Sequence, residues 1–115
     1  MRPKFVATQN KGFGIPFQNR FGVSVQWGTG NYCEKKNLGA DSDEEMKTPR
    51  WESTSAEIAV FSDTGIVPVG DSDDVIGWCS ADEVAKVIAI VSSTKDLDKM
   101  KEKIKALDIW KKKIY

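Results

Sequence analysis

The stretch FGVSVQW, residues 21–27, decides the fold because apolar residues alternate with small or polar ones along its whole length. Its apolar members fall on one side: Phe21, Val23, Val25 and Trp27. A period of two residues is typical of a β-strand with one buried face.

The preceding stretch GFGIPF, residues 12–17, predicts a shorter strand, and QNR, residues 18–20, predicts the turn between the two strands. Pro16 cannot donate a ladder hydrogen bond, so we expect this shorter strand at a sheet edge.

Further segments continue the strand pattern. GTGN, residues 28–31, tolerates positive φ and predicts a turn, after which YCEKK, residues 32–36, is expected to return as an antiparallel strand. AEIAVFS, residues 56–62, is predicted to be a strand, with IVPVG, residues 66–70, as its hairpin partner. Pro68 indicates that this partner lies at an edge or ends early.

The apolar period changes to that of a helix in SADEVAKVIAIVSS, residues 80–93. Ser80 and Glu83 have the spacing of a capping box, and a helix is predicted from about Ala81 to Val91. Its apolar face comprises Val84, Val87, Ile88 and Val91.

A second helix is predicted in KDLDKMKEKIKAL, residues 95–107, with Ser93 or Thr94 as its cap. Its apolar stripe comprises Leu97, Met100, Ile104 and Leu107. Strands come first and helices last, which indicates an α+β protein: a mostly antiparallel sheet of about four to five strands, packed on one face by two C-terminal helices. We expect residues 1–115 to form one domain, with a long exposed acidic loop at about 37–53.

The composition removes several classes of chemistry. The chain has no histidine, so it lacks the commonest general base and the commonest zinc ligand. Cys33 and Cys79 fit neither a C-x-x-C motif nor a multi-disulfide pattern, and we expect two separate reduced thiols. No nucleophile has a histidine base beside it, so the sequence predicts no catalytic residue, no cofactor and no metal site, and a binding protein is favoured over an enzyme.

Charge is balanced overall but segregated along the chain. The 17 basic and 17 acidic residues cancel, so no net field attracts nucleic acid to the whole surface. Residues 1–33 carry four bases and no acid, residues 53–94 carry seven acids and one base, and residues 95–115 carry eight lysines and four acids. The longest aliphatic run, residues 84–91, is too short to span a bilayer. We expect a soluble cytoplasmic protein without a membrane partner.

Two motifs suggest ligands but lack the required spacing. WGTGNYCEKK, residues 27–36, has a strand and two glycines but neither G-K-[ST] nor a following helix, which favours a tight turn over a phosphate loop. DSDD, residues 71–74, fails as the start of an EF-hand because Val75 and Ile76 occupy positions five and six. A looser site for Mg²⁺ or Ca²⁺ stays open, formed by Asp71, Asp73 and Asp74.

Three segments together resemble small uncharacterised proteins encoded in bacteriophage genomes: FGVSVQWGTGNYCEKK, WESTSAEIAVFSDTG and GWCSADEVAKVIAIVSS. The resemblance covers roughly residues 21–92 and rests on the VSVQ strand, the GNYC turn, the AEIAVF strand and the GWCS start of the helix. It implies an origin, because no activity is attached to these motifs, and it carries over no catalytic residue. The basic C-terminal helix departs from the pattern.

The leading hypothesis is a small non-catalytic phage-type protein that binds a host or phage macromolecule, most simply a protein, with inhibition of that target as one outcome. An acidic surface can imitate nucleic acid, and a tryptophan beside an arginine is a common interface anchor. The candidate residues lie in the acidic loop: Asp41, Asp43, Glu44, Glu45, Arg50 and Trp51. For Trp51 the alternative is that it packs the loop back onto the sheet.

The second hypothesis is a nucleic-acid-binding module that uses the basic C-terminal helix through charge and base stacking. Its candidate residues are Lys103, Trp110, Lys111, Lys112, Lys113 and Tyr115. The alternative is that these lysines form the solvated face of an amphipathic helix. A third hypothesis is a small-ligand or nucleotide site near the GTGN turn, in a binding protein or an enzyme.

Overall fold

A computed structural model describes residues 2–9, 11–36, 49–69, 74–107 and 109. They form an antiparallel sheet followed by two helices, so the predicted α+β fold is confirmed. The strands are β1 (Val6–Ala7), β2 (Gly12–Pro16), β3 (Phe21–Gln26), β4 (Ala56–Ser62), β5 (Gly65–Val67) and β6 (Val75–Cys79). The helices are α1 (Ala81–Ser93) and α2 (Leu97–Ala106).

The sheet branches at β4. Its strand order is β1-β2-β3-β4-β5, and β6 also pairs with β4. Val60 lies opposite Val67 of β5, and Ile58 lies opposite Ile76 of β6. Because β3 occupies the other side of β4, β5 and β6 share one edge of that strand. Both run antiparallel to β4, with β6 beside its first half and β5 beside its second half.

The two predicted hairpins, β2–β3 and β4–β5, are confirmed. β5 ends at the residue before Pro68, as the missing amide donor requires. The edge prediction for β2 needs a correction, because β1 lies beside it. β1 pairs only with Phe13 and Gly14, however, so it does not reach Pro16 at the far end of the strand.

The strand predicted over residues 32–36 is wrong. These residues form bends and turns, because their amides bond to nearby carbonyls rather than to β3. The Cys33 amide donates to Asn31 O at 2.8 Å, and the Lys36 amide donates to Cys33 O at 3.0 Å. β1 and β6 were not predicted.

The capping box of α1 is confirmed. Ser80 Oγ accepts the Glu83 amide at 3.2 Å, and Glu83 Oε1 accepts the Ser80 amide at 2.9 Å. The cap predicted for α2 is wrong: its N-cap is Asp96, whose carboxylate accepts the Lys99 amide. Ser93 still belongs to α1 and Thr94 is the residue that ends it, so neither can start the next helix.

The core lies between one face of the sheet and the two helices. It is built by side chains that are buried in the sheet, in α1 and in α2: Val23, Val25, Ile58, Val60, Ile76, Val87, Val91, Met100 and Ile104. The predicted stripe of α2 is only partly correct, because Leu97 in its first turn remains 38% exposed. Among the described residues, neither helix has the length and apolarity needed to cross a membrane.

Asn19 joins the β2–β3 hairpin to the end of α1. Its Nδ2 donates to Val91 O at 2.6 Å and to Thr94 O at 3.0 Å. Its Oδ1 accepts the Phe21 amide at 3.1 Å. The last carbonyls of a helix have no partner within the helix, so this side chain satisfies two of them from the opposite layer.

Replacing Asn19 by alanine is expected to lower the free energy of unfolding by about 1–3 kcal/mol, because half-buried backbone groups lose their partners. Urea denaturation followed by far-UV circular dichroism measures the change. The neighbouring exposed residue provides the control: Gln18→Ala should stay within about 0.5 kcal/mol of the wild type. Equal effects of the two substitutions would contradict the role of Asn19.

Candidate functional site

Trp27 and Trp51 exchange hydrogen bonds with each other's backbone. Trp27 Nε1 donates to Trp51 O at 3.1 Å, and Trp51 Nε1 donates to Trp27 O at 3.0 Å. Trp27 directly follows β3, and Trp51 lies five residues before β4. The pair therefore holds together the two chain segments that enclose residues 28–50.

The GTGN turn is held by the side chain of Asn31. The side-chain Oδ1 accepts the Gly28 amide at 2.9 Å, and the backbone amide of Asn31 donates to Gly28 O at 3.1 Å. Asn31 Nδ2 also donates to Glu57 Oε2 of β4 at 2.7 Å. Gly30 has a φ of +92°, a conformation that favours glycine. The predicted turn is thus present, and it is anchored to the sheet.

The segment after the turn docks on a β-bulge in β6. Between the pairs formed by Ile76 and Cys79, β6 contains one residue more than β4 does, and Trp78 takes a φ of +51°. The Trp78 amide donates to Tyr32 O at 2.8 Å. A Cβ on Gly77 would lie 2.7 Å from Tyr32 Cβ, so a glycine is needed for this close approach. The bulge turns the Trp78 side chain towards Tyr32.

Glu34 connects the same segment to the residues before β4. Thr54 Oγ1 donates to Glu34 Oε2 at 2.5 Å, and the Glu34 amide donates to Ser55 Oγ at 2.9 Å. Hydrogen bonds from the Thr54 side chain and amide lower the pKa of the Glu34 carboxyl. Glu34 is therefore an ionised, exposed carboxylate at neutral pH.

Two lysines, Lys35 and Lys36, lie over aromatic rings. Lys35 Nζ is 5.6 Å from the centre of the Trp51 ring, and Lys36 Nζ is 5.3 Å from the centre of the Tyr32 ring. Tyr32 in turn contacts Trp78, with ring centres 5.6 Å apart. All five side chains are half-buried. We call these five residues the aromatic surface: Tyr32, Lys35, Lys36, Trp51 and Trp78.

The structure describes only part of each set of predicted site residues. In the acidic loop, Arg50 is exposed and its guanidinium lies 2.7 Å from Glu52 Oε1, while Trp51 packs on Trp27. Asp41, Asp43, Glu44 and Glu45 lie outside the described residues, so the exposure predicted for loop 37–53 is observed only at its end. Trp51 itself is held at the end of β3 by its hydrogen bonds with Trp27.

The candidates for nucleic-acid binding are described even less completely. Lys103 is exposed on α2, with Nζ 3.5 Å from Thr94 Oγ1. The others lie outside the described residues: Trp110, Lys111, Lys112, Lys113 and Tyr115. Of the three aspartates of the looser cation site, Asp71 and Asp73 lie outside them as well. Within the part of the chain that is described, no group of three histidine, cysteine or carboxylate side chains could hold a metal ion.

Sequence reasoning missed Tyr32, Lys35, Lys36 and Trp78 as parts of one surface. The available signal was Gly77 before Trp78, because a glycine inside a strand marks a bulge or a close approach of another backbone. No family model, curated protein or solved structure matches this chain.

Both cysteines are free, and each is 1% exposed. Cys33 Sγ donates to Gly28 O at 3.6 Å, and Cys79 Sγ donates to Ile76 O at 3.7 Å. Burial raises the pKa of the Cys33 thiol. A protonated, inaccessible sulfur is a poor nucleophile, which agrees with the expectation of two separate reduced thiols.

We expect neither thiol to react promptly with Ellman's reagent at pH 8, and both to react once the protein is unfolded in urea. Absorbance at the wavelength of the released thiolate gives the count and the rate. Burial raises the pKa of the Cys33 thiol above the ordinary value of 9.0, so the folded state keeps this proton to higher pH than the unfolded state does. The contribution of Cys33 to the free energy of unfolding is therefore full below about pH 9 and is lost as the pH rises through the raised pKa. Prompt reaction of one thiol in the folded protein would contradict this account.

Proposed function

We propose that this chain is a non-catalytic protein that binds another protein, and that the aromatic surface is the contact site. The observation that carries the proposal is the pair of lysine–aromatic contacts made by two consecutive residues, Lys35 on Trp51 and Lys36 on Tyr32, with Trp78 packed against Tyr32. Tryptophan and tyrosine are among the residues that dominate the binding energy of protein interfaces.

The preorganisation of the surface supports this function. Trp51 is fixed by its indole hydrogen bond to Trp27 O, and the Tyr32 backbone by its bond to the Trp78 amide. A partner therefore meets side chains that have already lost much of their conformational freedom, which reduces the entropy cost of association.

The charges around the surface favour a protein over a polyanion. Lys35 and Lys36 lie beside the ionised Glu34, and Arg50 pairs with Glu52. Nucleic acid would meet both attraction and repulsion here, whereas mixed charges suit the polar rim of a protein interface.

The acidic loop of the leading hypothesis begins and ends beside this surface. Residues 37–48 connect Lys36 to Pro49, two positions before Trp51. Its carboxylates belong to the same proposed interface: Asp41, Asp43, Glu44 and Glu45. The resemblance to phage-encoded proteins makes a host or phage protein the expected partner.

The test starts from affinity capture in bacterial lysate with and without nuclease, followed by mass spectrometry and by measurement of Kd with the purified partner. Trp51→Ala should weaken that Kd by roughly 30-fold or more, the size expected for an interface hot spot. Lys35→Met, which keeps the alkyl stem and removes the charge, should weaken it by several-fold without disturbing the backbone.

Controls separate binding from folding. Phe5→Ala removes an aromatic side chain that precedes β1 and is 87% exposed. Lys86→Met removes an exposed charge on α1. Both variants should retain wild-type affinity. Melting temperatures of all variants check the fold. A partner that binds Trp51→Ala and Lys35→Met as tightly as the wild type would contradict the proposal. Capture that disappears with nuclease would also contradict it, and would favour the C-terminal lysines.

A further inference from the structure

An apolar cavity of about 240 Å³ lies next to Trp27, on the helix-facing side of the sheet. β2 and β3 form its floor, the first turn of α1 forms one wall, and the segment before β4 forms another. The lining residues are Phe13, Val25, Trp27, Ser53, Thr54, Ser55, Ala56, Ala81 and Val84. These residues include no charged side chain.

The polar side-chain atoms of the lining are engaged elsewhere. Trp27 Nε1 donates to Trp51 O, and Ser53 Oγ donates to Ser55 O at 2.7 Å. Thr54 Oγ1 donates to Glu34, and Ser55 Oγ accepts the Glu34 amide. Because these groups are satisfied within the protein, the cavity presents mainly carbon, and an occupant gains nothing there from a charge or a strong hydrogen-bonding group.

Two aromatic rings give the cavity a preference for flat ligands. Phe13 and Trp27 lie edge to face, with ring centres 6.0 Å apart and planes inclined by 70°. A third ring placed against them would extend the same type of packing, which adds to the gain from burial alone.

The volume limits the size of the ligand. Apolar cavities of about 150 Å³ hold benzene, whereas sites for drug-sized molecules occupy roughly 300–1,000 Å³. At about 240 Å³, this cavity has room for more than one ring but not for a nucleotide, whose phosphates would also find no basic side chain in the lining.

We propose that this cavity binds an uncharged aromatic molecule of one or two rings. The site is separate from the aromatic surface and does not depend on the protein-binding function, although Trp27 connects the two. Its ligand differs in chemistry from the nucleotide of the third hypothesis, for which this cavity has neither the volume nor a basic side chain.

Indole is the probe for the test, and indole-3-carboxylate is its charged counterpart. Titration of the ¹⁵N-labelled protein should give saturable shifts for the amides of Ser53, Thr54, Ala56, Ala81 and Val84. The expected Kd lies between about 10 μM and 1 mM, as for a ligand of this size in an apolar site. The carboxylate should cause no saturable shift at the same residues.

Two variants test the location. Ala81→Leu extends an exposed residue of the first helical turn into the cavity and should weaken indole binding at least tenfold, while Ala85→Leu, one turn further along α1, should leave it unchanged. Val84→Phe fills the cavity more completely, and Ile88→Phe is its matched control on the same helix. Melting temperatures identify any variant that fails to fold.

The outcomes distinguish this site from the aromatic surface. Saturable indole binding that is lost in Ala81→Leu and retained in Lys35→Met would support the cavity, whatever the fate of the protein partner. The absence of saturable shifts up to the solubility limit of indole would overturn the proposal, as would equal affinity in Ala81→Leu and Ala85→Leu.

Discussion

The reciprocal hydrogen bonds between Trp27 and Trp51 are the constraint on which the rest of the site depends. They close the chain on itself over residues 28–50 and place the end of β3 beside the approach to β4. The enclosed segment carries three residues of the aromatic surface, Tyr32, Lys35 and Lys36, whereas Trp27 just before it also lines the apolar cavity. Both proposed sites therefore depend on two hydrogen bonds, each from an indole N–H to a backbone carbonyl.

The edge of the sheet is modified to receive this segment. Amides on the outer edge of β6, such as that of Trp78, could otherwise pair with another chain, a known route to aggregation. The bulge instead directs that amide to Tyr32 O, and Gly77 makes room for the Tyr32 side chain. The same local irregularity thus protects an edge and brings Trp78 and Tyr32 together in the aromatic surface.

Much of the fold could be predicted from short-range patterns. The alternation of β3 and the capping box of Ser80 and Glu83 depend on neighbours in sequence, and both are observed. The failures depend on distant partners. β6 was missed because its bulge breaks the alternation of VIGWC, and residues 32–36 form a turn because their contacts lie with β6 and with residues 54–55. Trp51 was identified as a candidate, but its pairing with Trp27 joins positions 24 residues apart, which no local pattern specifies.

Hydrogen exchange at the two indole nitrogens tests the central claim most directly, because both bonds must open together. In a ¹⁵N-labelled sample, the Nε1 protons of Trp27 and Trp51 should exchange slowly and with similar protection factors, since one opening event exposes both. Trp27→Phe removes one indole donor but keeps the backbone carbonyl that accepts from Trp51, so it should lower the protection of the Trp51 indole without abolishing it. If the two protons exchanged at the rate of free indole, or if Trp51 kept its full wild-type protection in Trp27→Phe, the two segments would not be held as one unit and the account of the site would be wrong.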